Sequence, residues 1–158
     1  MFGAMRPLAL MFVATLLSLS VACKGSESDT AVVDWELMNS LNLLAQDFED
    51  WEQTANWPGI QPGLGPHGAY VAVYWNDTAY EHYAAQAGGD LPEGSLIIKQ
   101  GYADPGGASK ALRTAMWKVD GSWFWALWSG SSQSGGELVS CTGCHVDAAQ
   151  DFVFTETW

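Results

Sequence analysis

Positive charge is what this 158-residue sequence has least of: Lys and Arg total 6 against 18 Asp and Glu, a formal charge of −12. Phosphate backbones need a basic surface, so nucleic acid is excluded as a partner. Docking on an anionic membrane through charge is excluded for the same reason. No internal repeat is present, and the apolar run over residues 8–19 falls short of the roughly 20 residues a transmembrane helix needs. Charged residues make up only 15% and apolar residues 48%, so the chain can fill a core and wholesale disorder is excluded. The length is that of one domain. What is abundant is aromatic: nine Trp, six Phe and five Tyr. Such a load either fills a core or lines a site for a flat apolar ligand, and composition does not choose between the two.

The N-terminus reads as a targeting segment. Arg6 supplies a positive start, the apolar run is broken only by Thr15 and Ser18, and Ser20-Val21-Ala22 sets small residues where a signal peptidase reads. Residues 1–22 are expected to be an export signal of a protein that works outside the cytoplasm. Cys23, directly after Ala22, resembles a bacterial lipoprotein site, where the cysteine becomes the lipidated N-terminus. A lipid there would hold the chain at a membrane that the folded part need not touch. The expected location is the periplasm or the outer cell surface. Residues 23–33, mostly polar and small, read as a tether, which leaves 34–158 as the folded domain.

From Asp34 to about residue 54, Trp35, Leu37, Met38, Leu41, Leu44, Ala45, Phe48 and Trp51 fall near helical spacing, with Asp34 as a cap. The Pro- and Gly-dense stretch 57–68 is expected to hold nothing regular. Residues 69–75 alternate β-branched and aromatic types, which predicts a strand. Asp77 then caps a short helix that closes at Gly88-Gly89. Further strands are predicted over 95–102, 110–119 and 122–128, the last two joined by the hairpin pair Asp120-Gly121. Strands in such quick succession form an antiparallel sheet with the helices segregated from it. Along 122–128, Trp123 and Trp125 share one face, and Phe124 and Trp128 the other. Residues 129–136, rich in Gly and Ser, read as a mobile loop.

Cys141-Thr142-Gly143-Cys144-His145 is the C-x-x-C-H pattern of covalent haem attachment. Two thiols three residues apart can each form a thioether with a haem vinyl group, and the next residue presents an imidazole to the iron. Thr142 and Gly143 are small enough for the backbone to lie against the porphyrin edge. The export signal agrees, because bacteria attach this haem outside the cytoplasm. The cysteine count agrees as well: one for a lipid and two for a haem. Three other readings of the pair exist. A redox dithiol opens a helix after a strand in a βαβ unit, which is not predicted here. A structural disulfide would join Cys141 to Cys144. Zinc would need further ligands, and only His67 and His82 remain as nitrogen donors. The expected fold class is α+β, a mostly antiparallel β-sheet with N-terminal helices and a C-terminal covalent haem-attachment segment, carrying one haem c.

With those motifs in place the chain resembles the cytochrome P-460 family of small c-type haem proteins, including its cytochrome c-prime-beta relatives. The resemblance lies in His67-Gly68 leading into Val71-Ala72-Val73-Tyr74-Trp75-Asn76-Asp77, and in Leu91-Pro92-Glu93-Gly94-Ser95-Leu96-Ile97-Ile98-Lys99. It continues in Met116-Trp117-Lys118 with Gly121-Ser122-Trp123-Phe124-Trp125-Ala126, and in the haem motif followed by Asp151-Phe152-Val153-Phe154-Thr155. The order and spacing of these segments carry it over most of residues 67–155. The resemblance implies a mostly antiparallel sheet with N-terminal helices, often dimeric, so a homodimer is a possible assembly. It implies Cys141 and Cys144 holding the macrocycle, His145 as the proximal ligand and an open site on the other side. Some members of the family oxidise hydroxylamine and carry a lysine-to-haem cross-link; the c-prime-beta relatives lack the link and bind nitric oxide. Residues 69–75, where the link would be expected, contain no lysine, and Lys99 and Lys118 read as structural or surface residues.

The expected ligand is therefore a small nitrogen compound, nitric oxide or hydroxylamine, with an unidentified electron-transfer partner. The alternative is a six-coordinate periplasmic electron carrier without substrate. Candidates for a sixth ligand are few: His82 beside Glu81 reads as solvent-facing, His67 lies in a loop that does not fix it, and Met38 and Met116 read as packing. If the protein is an enzyme, it is a hydroxylamine-oxidising oxidoreductase. Proton transfer would then fall to Asp147 or Asp151, close behind the haem ligand; Asp151 also reads as a hydrogen-bonded tie for the C-terminal segment.

Overall fold

A computed structural model describes residues 33–63 and 65–154. The export signal, Cys23 and all of the tether except Val33 lie outside the described residues, as does Thr155. Six strands cross one sheet in chain order: β1 (Gln61–Pro62), β2 (Tyr70–Trp75), β3 (Leu96–Tyr102), β4 (Lys110–Val119), β5 (Ser122–Ser129) and β6 (Ser132–Gly136). Every neighbouring pair is antiparallel. Helix α1 (Trp35–Leu44) precedes the sheet, α2 (Asp77–Ala84) links β2 to β3, and α3 (Val139–His145) follows β6. The architecture is α+β.

Asp34 caps α1: its Oδ1 accepts the N–H groups of Glu36 and Leu37, both at 3.1 Å. The helix is about half the expected length, ending at Leu44 before a single 3-10 turn over Phe48–Asp50. Asp47, Glu49, Asp50 and Glu52 would crowd the negative end of a longer helix, and no basic side chain lies in its last turn to offset them. Val33, assigned to the tether, packs against the core.

Two stretches expected to be irregular are strands. Gln61–Pro62 pairs with Val71 and Tyr70, and Pro62 is tolerated because β1 is an edge strand. Residues 132–136 pair with β5 rather than forming a mobile loop. A Cβ on Gly135 would sit 2.7 Å from Phe124 Cζ and 3.0 Å from Met38 Sδ. Glycine here lets the edge strand close over the core, a packing reason that composition does not reveal.

The sheet has two different faces. Toward α1, Tyr74, Ile98, Ala115 and Ala126 lie in one row, with Met38, Leu41, Phe48, Phe124 and Trp128 packed around them. On the other face the row is Trp75, Ile97, Met116 and Trp125, covered by Ala79 of α2, Leu138 and Val153. The next row on that second face is Val73, Lys99, Thr114 and Leu127. A lysine and a threonine in mid-sheet rows interrupt an otherwise apolar surface. Trp123 and Trp125 belong to the second face and Phe124 and Trp128 to the first, as the strand period predicts.

Candidate functional site

Helix α3 carries the whole C-x-x-C-H motif. Fully buried Leu138 fastens its start, and the Leu138 carbonyl accepts the N–H groups of Cys141 and Thr142, both at 2.9 Å. Cys141 packs on the Trp123–Trp125 cluster, and Cys144 and His145 are half-buried.

The orientation of His145 is set by one bond. Its Nδ1–H donates to the Phe152 carbonyl at 2.7 Å. A carbonyl can only accept, so Nδ1 holds the proton and Nε2 keeps its lone pair. This is the arrangement in which a backbone carbonyl orients a metal-ligating histidine. Burial lowers the His145 pKa below its ordinary value of 6.5; the Phe152 bond opposes that shift and nearby Lys99 adds to it. Trp125 stands edge-on with its ring centre 4.8 Å from that of His145, and Phe154 lies 5.3 Å away on the same terms.

The Phe152 carbonyl is presented by a strained turn. Asp151 and Phe152 have φ of 42° and 63°, left-handed values unusual for residues other than glycine. The Asp151 carboxylate holds this turn. It accepts from Lys118 Nζ at 2.9 and 3.1 Å, from Trp123 Nε1 at 3.0 Å and from the Leu91 N–H at 2.9 Å. The Lys118–Asp151 pair is buried, with side chains 10% and 6% exposed. Asp151 is thus the tie for the C-terminal segment, acting on His145 through the next residue's carbonyl. Asp147 is exposed on the turn after α3. Lys118 is structural, as expected.

His67 does not swing loosely. Its carbonyl lies against β3 where Gly101 leaves room: a Cβ there would be 2.0 Å from the His67 oxygen. The Nδ1 of His67 pairs with Thr114 Oγ1 of β4 at 3.3 Å. These contacts bring the His67 ring centre to 6.2 Å from that of His145, with the ring planes 85° apart. Burial, then Lys99, then His145 hold the His67 pKa at about 3 against an ordinary 6.5. Burial also pushes the Lys99 ammonium below its ordinary value.

Sequence reasoning set Cys141, Cys144 and His145 in one C-terminal segment without assigning it an element, and the segment is helical. It did not join His67 to them, and it did not see Thr114, Trp125 or the Phe152 carbonyl as parts of the same site. The only local signal was the His67-Gly68 pair ahead of β2. His82 is half-buried on α2 rather than solvent-facing, Met38 lies under Gly135 on the far face, and Met116 packs in the second-face cluster. Among the described residues no group of three or more His, Cys, Asp or Glu side chains could hold a metal ion. The antiparallel sheet also lacks the βαβ setting of a redox dithiol. Neither a family model nor a curated protein matches the sequence.

Proposed function

We propose that the chain is an exported mono-haem c-type cytochrome similar to the P-460 family, with haem c bound through Cys141 and Cys144, His145 as axial ligand, and single-electron transfer as its task. The observation that carries this reading is His145: an imidazole one residue after a C-x-x-C pair, its Nδ1–H spent on the Phe152 carbonyl and its Nε2 left to bind metal. The residues fit the group. Two cysteines and an imidazole share one short helix, and Trp125 and Phe154 flank the imidazole with aromatic surface. When bound, the haem supplies a one-electron iron couple whose potential follows its axial ligands, hydrogen bonding and burial. The protein's part is to orient the ligand through Asp151 and Phe152 and to keep water from it with the two rings. An acidic chain carrying −12 favours an electron partner with a basic surface. Export places the protein in the periplasm or on the outer cell surface, held to the membrane by a lipid on Cys23.

The His67 ring lies 6.2 Å from that of His145, which supports the six-coordinate carrier over an open-site protein. The second reading, binding or oxidation of nitric oxide or hydroxylamine, is supported by Lys99, a cationic donor on the same face that makes no hydrogen bond to the described residues. The deciding experiment for the haem itself is denaturing electrophoresis with haem staining, followed by mass analysis of the 141–145 peptide. The porphyrin mass should remain on that peptide. Cys141→Ala/Cys144→Ala should abolish it, and His145→Ala should keep attachment while altering the iron spectrum. Colour that washes out in denaturant would overturn the assignment.

A further inference from the structure

We propose that His67 is the second axial ligand, so that the iron is held between His67 and His145. The inference rests on the covalent-haem reading and goes beyond it by assigning the far side of the metal. Its basis is a distance. Histidine nitrogens sit about 2.0 Å from a bound metal and about 1.1 Å from their own ring centre, given ring bonds of about 1.33 Å, so two imidazoles trans on one metal have centres about 6.2 Å apart. The two rings here are 6.2 Å apart, one on the loop before β2 and the other at the end of α3.

Chemistry agrees with the spacing. Each ring engages its Nδ1 elsewhere, His145 with the Phe152 carbonyl and His67 with the Thr114 hydroxyl. In each case Nε2 is the nitrogen left for a metal, and each Nδ1 partner is the kind of neighbour that fixes a ligand's tautomer. A bare metal ion is poorly served at this place. Two imidazoles leave a tetrahedral zinc short of ligands, no third His, Cys, Asp or Glu joins them among the described residues, and the Lys99 ammonium lies close enough to both rings to disfavour a cation. A porphyrin supplies four ligands in its own plane and needs only the two that stand above and below it.

The loop is built to keep His67 there. The close approach of its carbonyl to Gly101 requires glycine at that point of β3, next to the register shift between Gln100 and Tyr102. Nitric oxide, hydroxylamine or carbon monoxide would then reach the iron only by displacing His67.

The test uses the purified full chain with haem attached, and the first readout needs no variant. The ferric protein should be low-spin, and its electron paramagnetic resonance should show the strongly anisotropic signal of two imidazoles with nearly perpendicular planes. Ferrous protein should take up carbon monoxide slowly or incompletely. His67→Ala should become high-spin, bind carbon monoxide at once, and return to low-spin when imidazole is added. Gly101→Val, which drives the loop off β3, should move the spectrum the same way without touching a ligand. A high-spin, five-coordinate wild type overturns the proposal, and so does a low-spin spectrum that survives His67→Ala but is lost in Met116→Leu. Failure of the haem reading looks different: no porphyrin remains on the denatured chain.

Discussion

The two faces of the sheet are made from the same strands and carry opposite kinds of interior. The α1 face is apolar where it packs on the helix, with Met38, Leu41, Ile98 and Ala126 at 0% exposure, and its polar groups, Gln100 and Arg113, lie one row away with Arg113 over the Phe48 and Trp128 rings. The other face sets His67, Lys99, Thr114 and His145 among Trp125, Leu127 and Met116, and it holds the Lys118–Asp151 ion pair as well. Burying imidazoles and an ammonium works against folding unless they are paired or serve another end. The first face supplies stability through burial, at about 1.5–3 kcal/mol for each large side chain. The second accepts polar groups where they lie beside one another, His67 by His145 and Lys118 by Asp151. Two imidazoles and a buried ion pair, more than aromatic content, distinguish the second face, because large rings lie on both.

That contrast can be broken most sharply at Asp151. Asp151→Ala removes the partner of a buried lysine and should cost about 3–5 kcal/mol in urea unfolding. It should also perturb the His145–iron spectrum, since the turn that presents the Phe152 carbonyl loses its anchor. If stability falls while the spectrum is unchanged, the turn does not position the ligand. On the opposite face, Met38→Ala should cost about 2–5 kcal/mol through the cavity it leaves and should not move the haem spectrum at all. A spectral change there would mean that the faces are coupled.

Acid separates the faces without mutation. In haem-free protein, burial followed by the nearby Lys99 and His145 holds His67 at about 3, whereas the unfolded chain protonates near 6.5. The unfolded state binds more protons between those values, so stability should fall as pH drops from about 6.5 toward 3, by up to about 1.4 kcal/mol per pH unit for this group, and level off above 6.5. His145 adds in the same direction. Urea midpoints across that range measure the slope. The haem-loaded protein should show less of it, since a metal-bound nitrogen does not take a proton. The smallest effect belongs to the helix start: Asp34→Ala removes two capping acceptor contacts and should cost about 1 kcal/mol, with no spectral consequence.

Much of the fold was legible in the residues. The alternation over 70–75, 96–102, 110–119 and 122–129 is a local property, and hairpin turns leave few ways to arrange such strands. Residues 132–136 were not legible as a strand, because Ser and Gly carry no strand preference and Gly135 is explained only by the Phe124 ring above it. The early end of α1 was missed because hydrophobic spacing continues past Leu44 while the acidic run opposes a longer helix. Asp151 had two readings in the sequence, and its donors from β4, β5 and the Leu91 loop assign it the tie.

By itself the sequence determined what is contiguous: the period of the strands, the cap on α1, and two cysteines with a histidine spaced within five residues. Those depend on bond geometry and on neighbours a few residues away. Only the tertiary structure decided that His67 lies beside His145, because 78 positions separate them in the chain and their approach depends on Gly101 of β3 and Thr114 of β4, on adjacent strands. Pairing across a sheet is set by register, and register is settled by the packing of both faces at once.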